Sequence, residues 1–388
     1  MRFILDFRKY DGVVGGVEQG VLQLARYGAR LGCEVLLVVK ERRAEEAARI
    51  VGVDSGVEII PVPVTTHAIS AANARLDSGF FQDLARSRQA QLIHFFYNWS
   101  FPLRRAVPCL LTVHDVIPFT FREAMGWWRN RFLYRPAIRL ACRLNDHITT
   151  VSRFSKQDIC RKTGVPAAKI TVVPNGLRTP HPFRAELWDS LRGRLGLDQG
   201  FILNSGGIHE RKNTIRLLEA FSRLVREAAY PGKLVITGAV SGAPYQRRMK
   251  QRCDRAVERL GLEGRVVFAG FVSEEELDHL MARADLFVYP SLYEGFGIPV
   301  LEAMQAGTPV VASNATAIPE VAEDAALLVD PTDVNALAGA MRRILENITL
   351  RQDLIRKGRL RAAGFSWEKT CSLYFEVYRR LIGSSAAA

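Results

Sequence analysis

The chain has 388 residues, of which 48% are hydrophobic and 24% are charged, and this composition predicts a globular protein with two domains of ordinary size. Disordered and fibrous classes are excluded. The formal net charge of +13 is uneven, because residues 1–180 contain 26 Lys and Arg against 15 Asp and Glu, whereas the remainder contains 27 against 25.

Strands and helices alternate along the first half of the chain. A first apolar strand precedes the pair Gly15-Gly16, which leads into an amphipathic helix from about Glu18 to Leu31. Two glycines in a loop let the backbone approach a ligand closely, although they equally suit a tight turn. The alternation implies a parallel, doubly wound sheet. Its predicted strands are Phe3–Phe7, Glu34–Val39, Val57–Ile60, Leu92–Phe96, Leu110–Val113 and His147–Val151.

The same alternation restarts in the second half and predicts a second sheet of the same kind. We therefore expect an α/β protein with Rossmann-like domains over residues 1–178 and 179–365, followed by an amphipathic helix within 366–388. Ligands of such sheets bind beyond the carboxyl ends of the strands, so the two domains are expected to face each other across a cleft that holds the substrates. The second set of strands is Phe201–Asn204, Lys233–Thr237, Val266–Ala269, Leu286–Tyr289, Pro309–Ala312 and Ala326–Val329.

The segment from Glu294 to Glu302 carries the most informative pattern. It follows a predicted buried strand and places two carboxylates eight positions apart. Pro299 suits the first position of a helix and Gly307 suits its end, which predicts a helix of about two turns. The helix dipole and free amides at its N-terminus would attract a diphosphate.

The two carboxylates give this anion site its selectivity. Glu302 in the first turn can accept two hydrogen bonds from a ribose diol, and Glu294 is placed for a second polyol. The alternative is that Glu302 only stabilises the helix N-terminus and that Glu294 is a solvated loop residue. The other residues expected to contact the bound ligand lie between and beside these carboxylates. They are Gly295, Phe296, Gly297, Ile298 and the free amides of Val300 and Leu301.

A basic loop after the strand Phe201–Asn204 supplies the second ligand pattern. Gly207 is followed by Arg211 and Lys212 at a helix start that Asn213 or Thr214 can cap. Adjacent basic residues are usually part of the surface. After a glycine-bearing strand end, however, they favour stabilisation of the charge on a departing diphosphate.

These motifs resemble those of the retaining family-4 glycosyltransferases of GT-B fold, in particular the mannosyltransferase-like members. The donor-site signature EGFGIPVLE is followed by AMQAGTPVVAS, and the resemblance extends over nearly the whole chain. Two departures stand in the basic loop: Gly207 replaces a frequent Arg, and His209-Glu210 replace a frequent Glu-Pro. The first departure leaves more of the phosphate contact to Arg211 and Lys212.

The resemblance implies transfer of a hexose from a nucleotide-diphosphate sugar to a hydroxyl of a glycan or lipid-linked glycan, with retention at the anomeric carbon. It implies that Glu294 holds sugar hydroxyls rather than acting as a nucleophile, and that the terminal helix crosses back onto the first domain. A lone His near a strand end is more often structural, but the resemblance favours a donor-sugar contact for His114 and an acceptor-side place for Asp115. The implied catalytic residues are His114, Glu294, Arg211 and Lys212, and the implied donor contacts include Gly15, Gly16, Gly207 and Glu302.

No metal or other cofactor is expected, because the sequence contains no Asp-x-Asp triplet and no cluster with metal-ligand spacing. Three rival functions differ from this one in what they require of the sequence. A sugar-nucleotide epimerase of GT-B fold would bind the same donor, and a non-catalytic sugar-nucleotide sensor would be expected to have lost His114, Glu294 or Lys212. A nicotinamide-dependent oxidoreductase is disfavoured, since residues 6–16 lack the Gly-x-Gly-x-x-Gly spacing.

The basic first half also carries a candidate membrane surface. Arginines recur every four residues beside aromatic residues, a pattern that on a helix forms a stripe favoured by anionic headgroups. The alternative is a solvated helix face whose aromatic side chains lie in the core. Without a membrane span or signal peptide, we expect a cytoplasmic protein, peripheral on the membrane if this surface binds lipid, and no nucleic-acid partner. The stripe comprises Arg131, Arg135, Arg139 and Arg143.

Overall fold

The computed structural model describes residues 1–52, 55–64, 67–122, 125–239 and 243–386, and the chain divides into two units. The first unit comprises Met1–Phe119, Trp127–Gly176 and the segment from Ser366 onwards; the second comprises Thr120–Gly126 and Leu177–Phe365. None of the helices in these described ranges is both long and apolar enough to span a bilayer.

The first unit is built on a seven-stranded sheet in which every pairing is parallel. The strand order is β3-β2-β1-β4-β5-β6-β7, so the order reverses between β1 and β4. The six predicted strands are confirmed; the short seventh, β7, was missed. In chain order the elements are β1 (Arg2–Asp6), α1 (Gly16–Arg30), β2 (Glu34–Lys40), α2 (Ala44–Val51), β3 (Val57–Val62), α3 (Ala71–Ser78), α4 (Phe80–Ser87), β4 (Leu92–Phe95), β5 (Cys109–Thr112), α5 (Arg135–Leu144), β6 (His147–Thr150), α6 (Arg153–Thr163) and β7 (Ile170–Val172).

The second unit has a six-stranded parallel sheet in the order β10-β9-β8-β11-β12-β13, and all six of its strands were predicted. Its order reverses between β8 and β11, so the loops after these two strands leave the same sheet edge side by side. The elements are α7 (Ala185–Leu195), β8 (Phe201–Asn204), α8 (Thr214–Glu227), β9 (Lys233–Thr237), α9 (Pro244–Leu260), β10 (Val266–Gly270), α10 (Glu274–Arg283), β11 (Leu286–Tyr289), α11 (Ile298–Ala306), β12 (Val310–Ser313), α12 (Ile318–Ala322), β13 (Leu327–Val329), α13 (Val334–Glu346) and α14 (Ile348–Ala362).

The C-terminal helix α15 (Trp367–Ala386) packs into the core of the first unit. A buried polar chain fixes it to the sheet: His94 Nδ1 lies 2.7 Å from the hydroxyl of Tyr378, and its Nε2 lies 2.7 Å from Thr112 Oγ1. Thr112 Oγ1 is in turn 2.8 Å from Thr149 Oγ1. Each of these buried side-chain polar atoms has a partner. The hydrogen bonds therefore fix the register of the helix on the sheet, in addition to its apolar packing.

Acid should weaken this attachment. Burial lowers the pKa of His94 to about 3, whereas an unfolded histidine titrates near 6.5. Below pH 6.5 the unfolded chain therefore binds a proton that the folded chain refuses, so the contribution of His94 is complete above pH 6.5 and is lost as the pH falls towards 3.

We expect the difference in free energy of unfolding between the wild type and His94→Gln to shrink by about 1.4 kcal/mol per pH unit over that window. Urea titrations followed by tryptophan fluorescence would measure it, because four of the five tryptophans lie in the first unit. A difference that did not change between pH 7 and pH 5 would contradict this account.

Candidate active site

The loop after β8 is shaped by two glycines with left-handed backbone. Gly206 has φ +104° and Gly207 has φ +77°, and the amide of Gly207 donates to the carbonyl of Thr237 at 3.0 Å. A Cβ built on Gly206 would lie 2.8 Å from Lys212 Nζ. The loop therefore needs glycine both for its conformation and for the close approach of the lysine ammonium.

Gly238, which follows β9, belongs to the same arrangement and was missed by the sequence analysis. It has φ +128°, and a Cβ on it would lie 2.2 Å from the backbone nitrogen of Gly207. The two strand-end loops thus meet backbone to backbone. The available signal was a glycine placed directly after a predicted strand.

A single carboxylate oxygen joins the two cations of the basic loop. Glu294 Oε1 lies 2.8 Å from Arg211 Nη1 and 2.8 Å from Lys212 Nζ, and all three side chains are largely buried. Burial alone would raise the pKa of Glu294, but the charges of Lys212 and Arg211 hold it below its ordinary value. The structure therefore brings together the two sequence patterns, with Glu294 ionised at neutral pH.

Tyr289, the last residue of β11, is a further member of this cluster that the sequence analysis treated only as part of a strand. Lys212 Nζ donates to its hydroxyl and lies 4.5 Å from the centroid of its ring. Burial, reinforced by the charge of Glu294, raises the pKa of Tyr289 well above its ordinary value. The hydroxyl thus stays protonated and helps to fix the position of the lysine ammonium.

The backbone of Glu294 is held by a strained residue. Its amide donates to Thr316 Oγ1 at 3.0 Å, and Thr316 has φ +60°, a conformation that β-branched residues rarely adopt. Such strain persists only where the surrounding structure enforces it. Nothing in the sequence marked Thr316.

The predicted short helix is present as α11, one residue earlier than expected, so that Pro299 is its second residue. Gly297 caps it with φ +116°, and a Cβ there would lie 2.6 Å from Ile318 Cδ1. The expectation of a free amide at Val300 is wrong, because the first turn is tight and this amide donates to the carbonyl of Gly297 at 3.0 Å. A phosphate contact of Leu301 stays a prediction.

The other residues of this segment differ in their exposure. Gly295 and the ring of Phe296 are buried, and that ring packs against Phe365 with centroids 5.8 Å apart. A donor contact of Phe296 therefore falls to its backbone. Ile298 is half-buried. Glu302 keeps 17% of its side chain exposed, and burial raises its pKa to about 7. The pKa values of the two carboxylates of the motif, Glu294 and Glu302, are therefore shifted in opposite directions.

His114 follows β5 in the first unit and is neutral at pH 7. Burial lowers its pKa to about 4, and its Nε2 lies 3.1 Å from the carbonyl of Phe96. A carbonyl only accepts, so Nε2 carries the hydrogen and Nδ1 is left as an acceptor. Asp115 Oδ1 accepts the amide of Ile117 at 2.9 Å, which gives this carboxylate a part in the local turn.

Gly15 and Gly16 are exposed at the start of α1, on the loop that follows β1. Gly15 is the N-cap residue, and its amide donates to Glu18 Oε2 at 3.2 Å. This one-sided cap, in which the Glu18 carboxylate binds the Gly15 amide, ends the loop. Within the described part of the chain no group of three His, Cys, Asp or Glu side chains is placed to hold a metal ion. Metal independence stays a prediction.

The predicted arginine stripe is wrong in one respect, because a π-helical turn over Arg129–Tyr134 precedes α5 and breaks the regular spacing. Arg135 is half-buried and donates to Asn130 Oδ1 at 2.8 Å and to the carbonyl of Phe119 at 2.9 Å. Arg131, Arg139 and Arg143 are exposed.

Three aromatic side chains near this turn lie at the surface rather than in the core. Trp127, Trp128 and Phe132 are exposed by 49%, 69% and 59%, and their ring centroids are 4.8–5.7 Å apart. We call these three residues the aromatic patch. A contiguous exposed group of large aromatic residues is typical of an interaction surface.

Residues 14–180 match the family model described as Glycosyltransferase Family 4. Residues 191–361 match the family model described as Glycosyl transferases group 1. The O-antigen chain mannosyltransferase B of Escherichia coli is 34% identical over 281 residues, which cover 72% of this chain and 71% of that protein. The chain belongs to the family-4 glycosyltransferases. A nicotinamide-dependent oxidoreductase is thereby excluded.

Other proteins similar to this glycosyltransferase agree with its fold and family. The serotype-specific mannosyltransferase WbdA of Escherichia coli is 31% identical over 279 residues, which span 70% of this chain but only 33% of that protein. The crystal structure of Anabaena HepE in complex with UDP-glucose has a TM-score of 0.74 at 21% identity and covers 98% of this chain and 100% of its own. With its two parallel sheets, the glycosyltransferase has the GT-B fold.

Replacing Arg211 or Lys212 by Ala should lower turnover by about 100-fold each, as expected when a preorganised charge partner of a transition state is lost. Steady-state kinetics would measure this, and circular dichroism would check folding. Arg226→Ala is the matched control, because this exposed residue lies in the last turn of α8, the helix that follows the loop. Near-native kinetics in both site variants would show that the loop is wrongly assigned.

Proposed function

We propose that this glycosyltransferase transfers mannose from a nucleotide-diphosphate donor to a hydroxyl of a glycan or lipid-linked glycan, with retention and without a metal ion. The observation that carries the proposal is the buried cluster in which Glu294 Oε1 is shared by Arg211 and Lys212. Similarity to the O-antigen chain mannosyltransferase B and to the serotype-specific mannosyltransferase WbdA supports mannose as the sugar and a surface polysaccharide or glycolipid as the product.

The charges of the cluster suit a diphosphate. Two cations and one ionised carboxylate leave one net positive charge, held in place before the donor arrives. The leaving diphosphate gains negative charge as the glycosyl bond breaks, and cations that are already oriented stabilise it without reorganisation. In this proposal Arg211 and Lys212 therefore bind the phosphates. They do so without the help of the arginine that the family often has at the position of Gly207.

Glu294 is a poor nucleophile in this setting, because its Oε1 already accepts from both cations. The remaining oxygen, Oε2, can accept a donor-sugar hydroxyl. The acceptor hydroxyl then attacks the anomeric carbon on the face from which the diphosphate leaves: the new C–O bond forms, the C–O bond to phosphate breaks, and the acceptor proton passes to a phosphate oxygen. No covalent sugar–protein intermediate is needed.

His114 fits this scheme as a neutral acceptor. With the hydrogen on Nε2 directed to the Phe96 carbonyl, Nδ1 can accept a hydrogen bond from a donor-sugar hydroxyl. A protonated imidazole would repel the positive charge that develops on the sugar ring, and the lowered pKa prevents this at neutral pH.

The donor and the stereochemistry can be tested together. Among nucleotide sugars with the same base, mannose donors should raise the melting temperature most, since a ligand at 100 times its Kd adds about 2.7 kcal/mol of stability. With octyl α-mannoside as acceptor and EDTA present throughout, NMR of the product should show a new α-mannoside. A β-linked product, or activity that EDTA abolishes and manganese restores, would contradict the proposal.

An incubation of donor without acceptor separates this function from epimerisation. A transferase should leave the sugar configuration unchanged apart from slow hydrolysis. Appearance of an epimeric nucleotide sugar would favour the epimerase instead, and binding without any turnover would favour a sensor.

We also propose that the aromatic patch seats the first unit on an anionic membrane, where a lipid-linked acceptor would be found. Trp and Phe side chains favour the headgroup boundary, and the exposed Arg129 and Arg131 beside them would attract anionic lipid. The basic excess of the first half of the chain supports the same partner.

Replacing Trp127, Trp128 and Phe132 together by Gln should abolish most binding to vesicles of phosphatidylglycerol and phosphatidylcholine while donor affinity stays unchanged. Phe271→Gln, which removes an even more exposed aromatic residue from the second unit, is the control. Salt should weaken wild-type binding because exposed charges are screened within about 8 Å at physiological ionic strength. Co-sedimentation indifferent to salt and to the triple substitution would refute the membrane contact.

A further inference from the structure

Glu302 lies near two other carboxylates and one cation, Arg178, which partly offsets their negative charge. Arg178 Nε is 3.8 Å from Glu302 Oε1, while Asp278 and Glu274, both on α10, are the other charged groups that act on it. Burial raises the pKa of Glu302, the charge of Arg178 lowers it, and the two acidic neighbours raise it further. Without the arginine, Glu302 would face like charges alone.

Arg178 cannot swing freely, because Asp278 holds the far end of its guanidinium. Both terminal nitrogens donate to the Asp278 carboxylate, with Nη1 to Oδ2 at 2.7 Å. The backbone amide of His181 donates to the same Oδ2 at 2.8 Å, so the segment that carries Arg178 is fixed to α10 as well. With both terminal nitrogens bound to Asp278, the Nε atom of Arg178 lies 3.7 Å from Glu274 Oε2 and 3.8 Å from Glu302 Oε1.

We propose that Arg178, aimed by Asp278, is a positioning residue that keeps Glu302 an oriented carboxylate able to accept both hydroxyls of the donor ribose; this rests on the ribose role proposed for Glu302. At 3.8 Å the contact is an ion pair without a hydrogen bond, so it orients the carboxylate without occupying its acceptor sites. Both oxygens of Glu302 stay available to the diol. Arg178 itself touches no substrate in this scheme.

The proposal predicts a pH dependence with a definite sign. A protonated Glu302 would turn one acceptor oxygen into a donor and lose part of its hold on the diol. Removing the charge of Arg178 favours that protonated form, because only Asp278 and Glu274 then act on it. The donor KM should therefore rise most at and below neutral pH and recover as the pH increases.

Arg178→Met tests this, since it keeps the length of the side chain and removes its charge. Because the pKa of Glu302 is about 7 in the wild type, a rise of about one pKa unit should raise the donor KM about fivefold at pH 7 and about tenfold at pH 6, with kcat changed less than threefold. Arg178→Lys should restore most of the affinity. Arg184→Met is the matched control: this exposed residue pairs with Glu275 on the same helix α10.

A donor with a 2′,3′-dideoxyribose distinguishes failure of this inference from failure of the ribose assignment. If the inference holds, wild type prefers the ribose donor, and Arg178→Met loses that preference while binding the dideoxy donor as wild type does. Equal loss for both donors, or an Arg178→Met variant with wild-type KM at every pH, would overturn the positioning role. A wild type that does not distinguish the two donors would instead refute the ribose role of Glu302.

Discussion

The sharing of one carboxylate oxygen by two buried cations is the interaction on which the donor site depends. Arg211 and Lys212 come from the loop after β8, and Glu294 from the loop after β11. A buried charge without a partner is strongly disfavoured, so each loop is held in position by the other. The geometry that would receive a diphosphate is therefore established before any ligand binds, and the cluster leaves only one net charge to attract it.

The backbone around this cluster is unusually constrained. Gly206, Gly207 and Gly238 adopt left-handed conformations where their loops nearly touch, and Gly297 does so at the start of α11. Thr316 adopts the same region despite its branched side chain and holds the amide of Glu294. A side chain added at Gly206 would collide with Lys212, and one added at Gly238 would collide with the backbone of Gly207. The geometry of the site therefore depends on the absence of side chains at these glycines as well as on the side chains that are present.

The sequence predicted both sheets and each of the two donor motifs, because buried parallel strands form apolar runs and because proline and glycine mark the ends of α11. It did not predict that Glu294 pairs with Arg211 and Lys212. It missed β7, which has only three residues, and the tight first turn that engages the amide of Val300. It also missed Tyr289, Thr316 and Arg178. Their roles arise from contacts between residues far apart in the chain, and no local pattern marks such contacts. The regular arginine stripe was wrong because one-dimensional spacing does not reveal a π-helical turn.

The place of α15 in the first unit has a consequence for biosynthesis. A Cβ at Gly176 would lie 2.4 Å from the backbone nitrogen of Trp367, so the chain leaves the first unit and re-enters it at neighbouring points. Cys371, Tyr374 and Tyr378 then complete its core. Although most of this unit is translated before the second unit, the ribosome releases α15 and its core residues only after the second unit. The second unit, whose main segment lies between the two crossings, can therefore finish folding first, reversing the usual order from N-terminus to C-terminus.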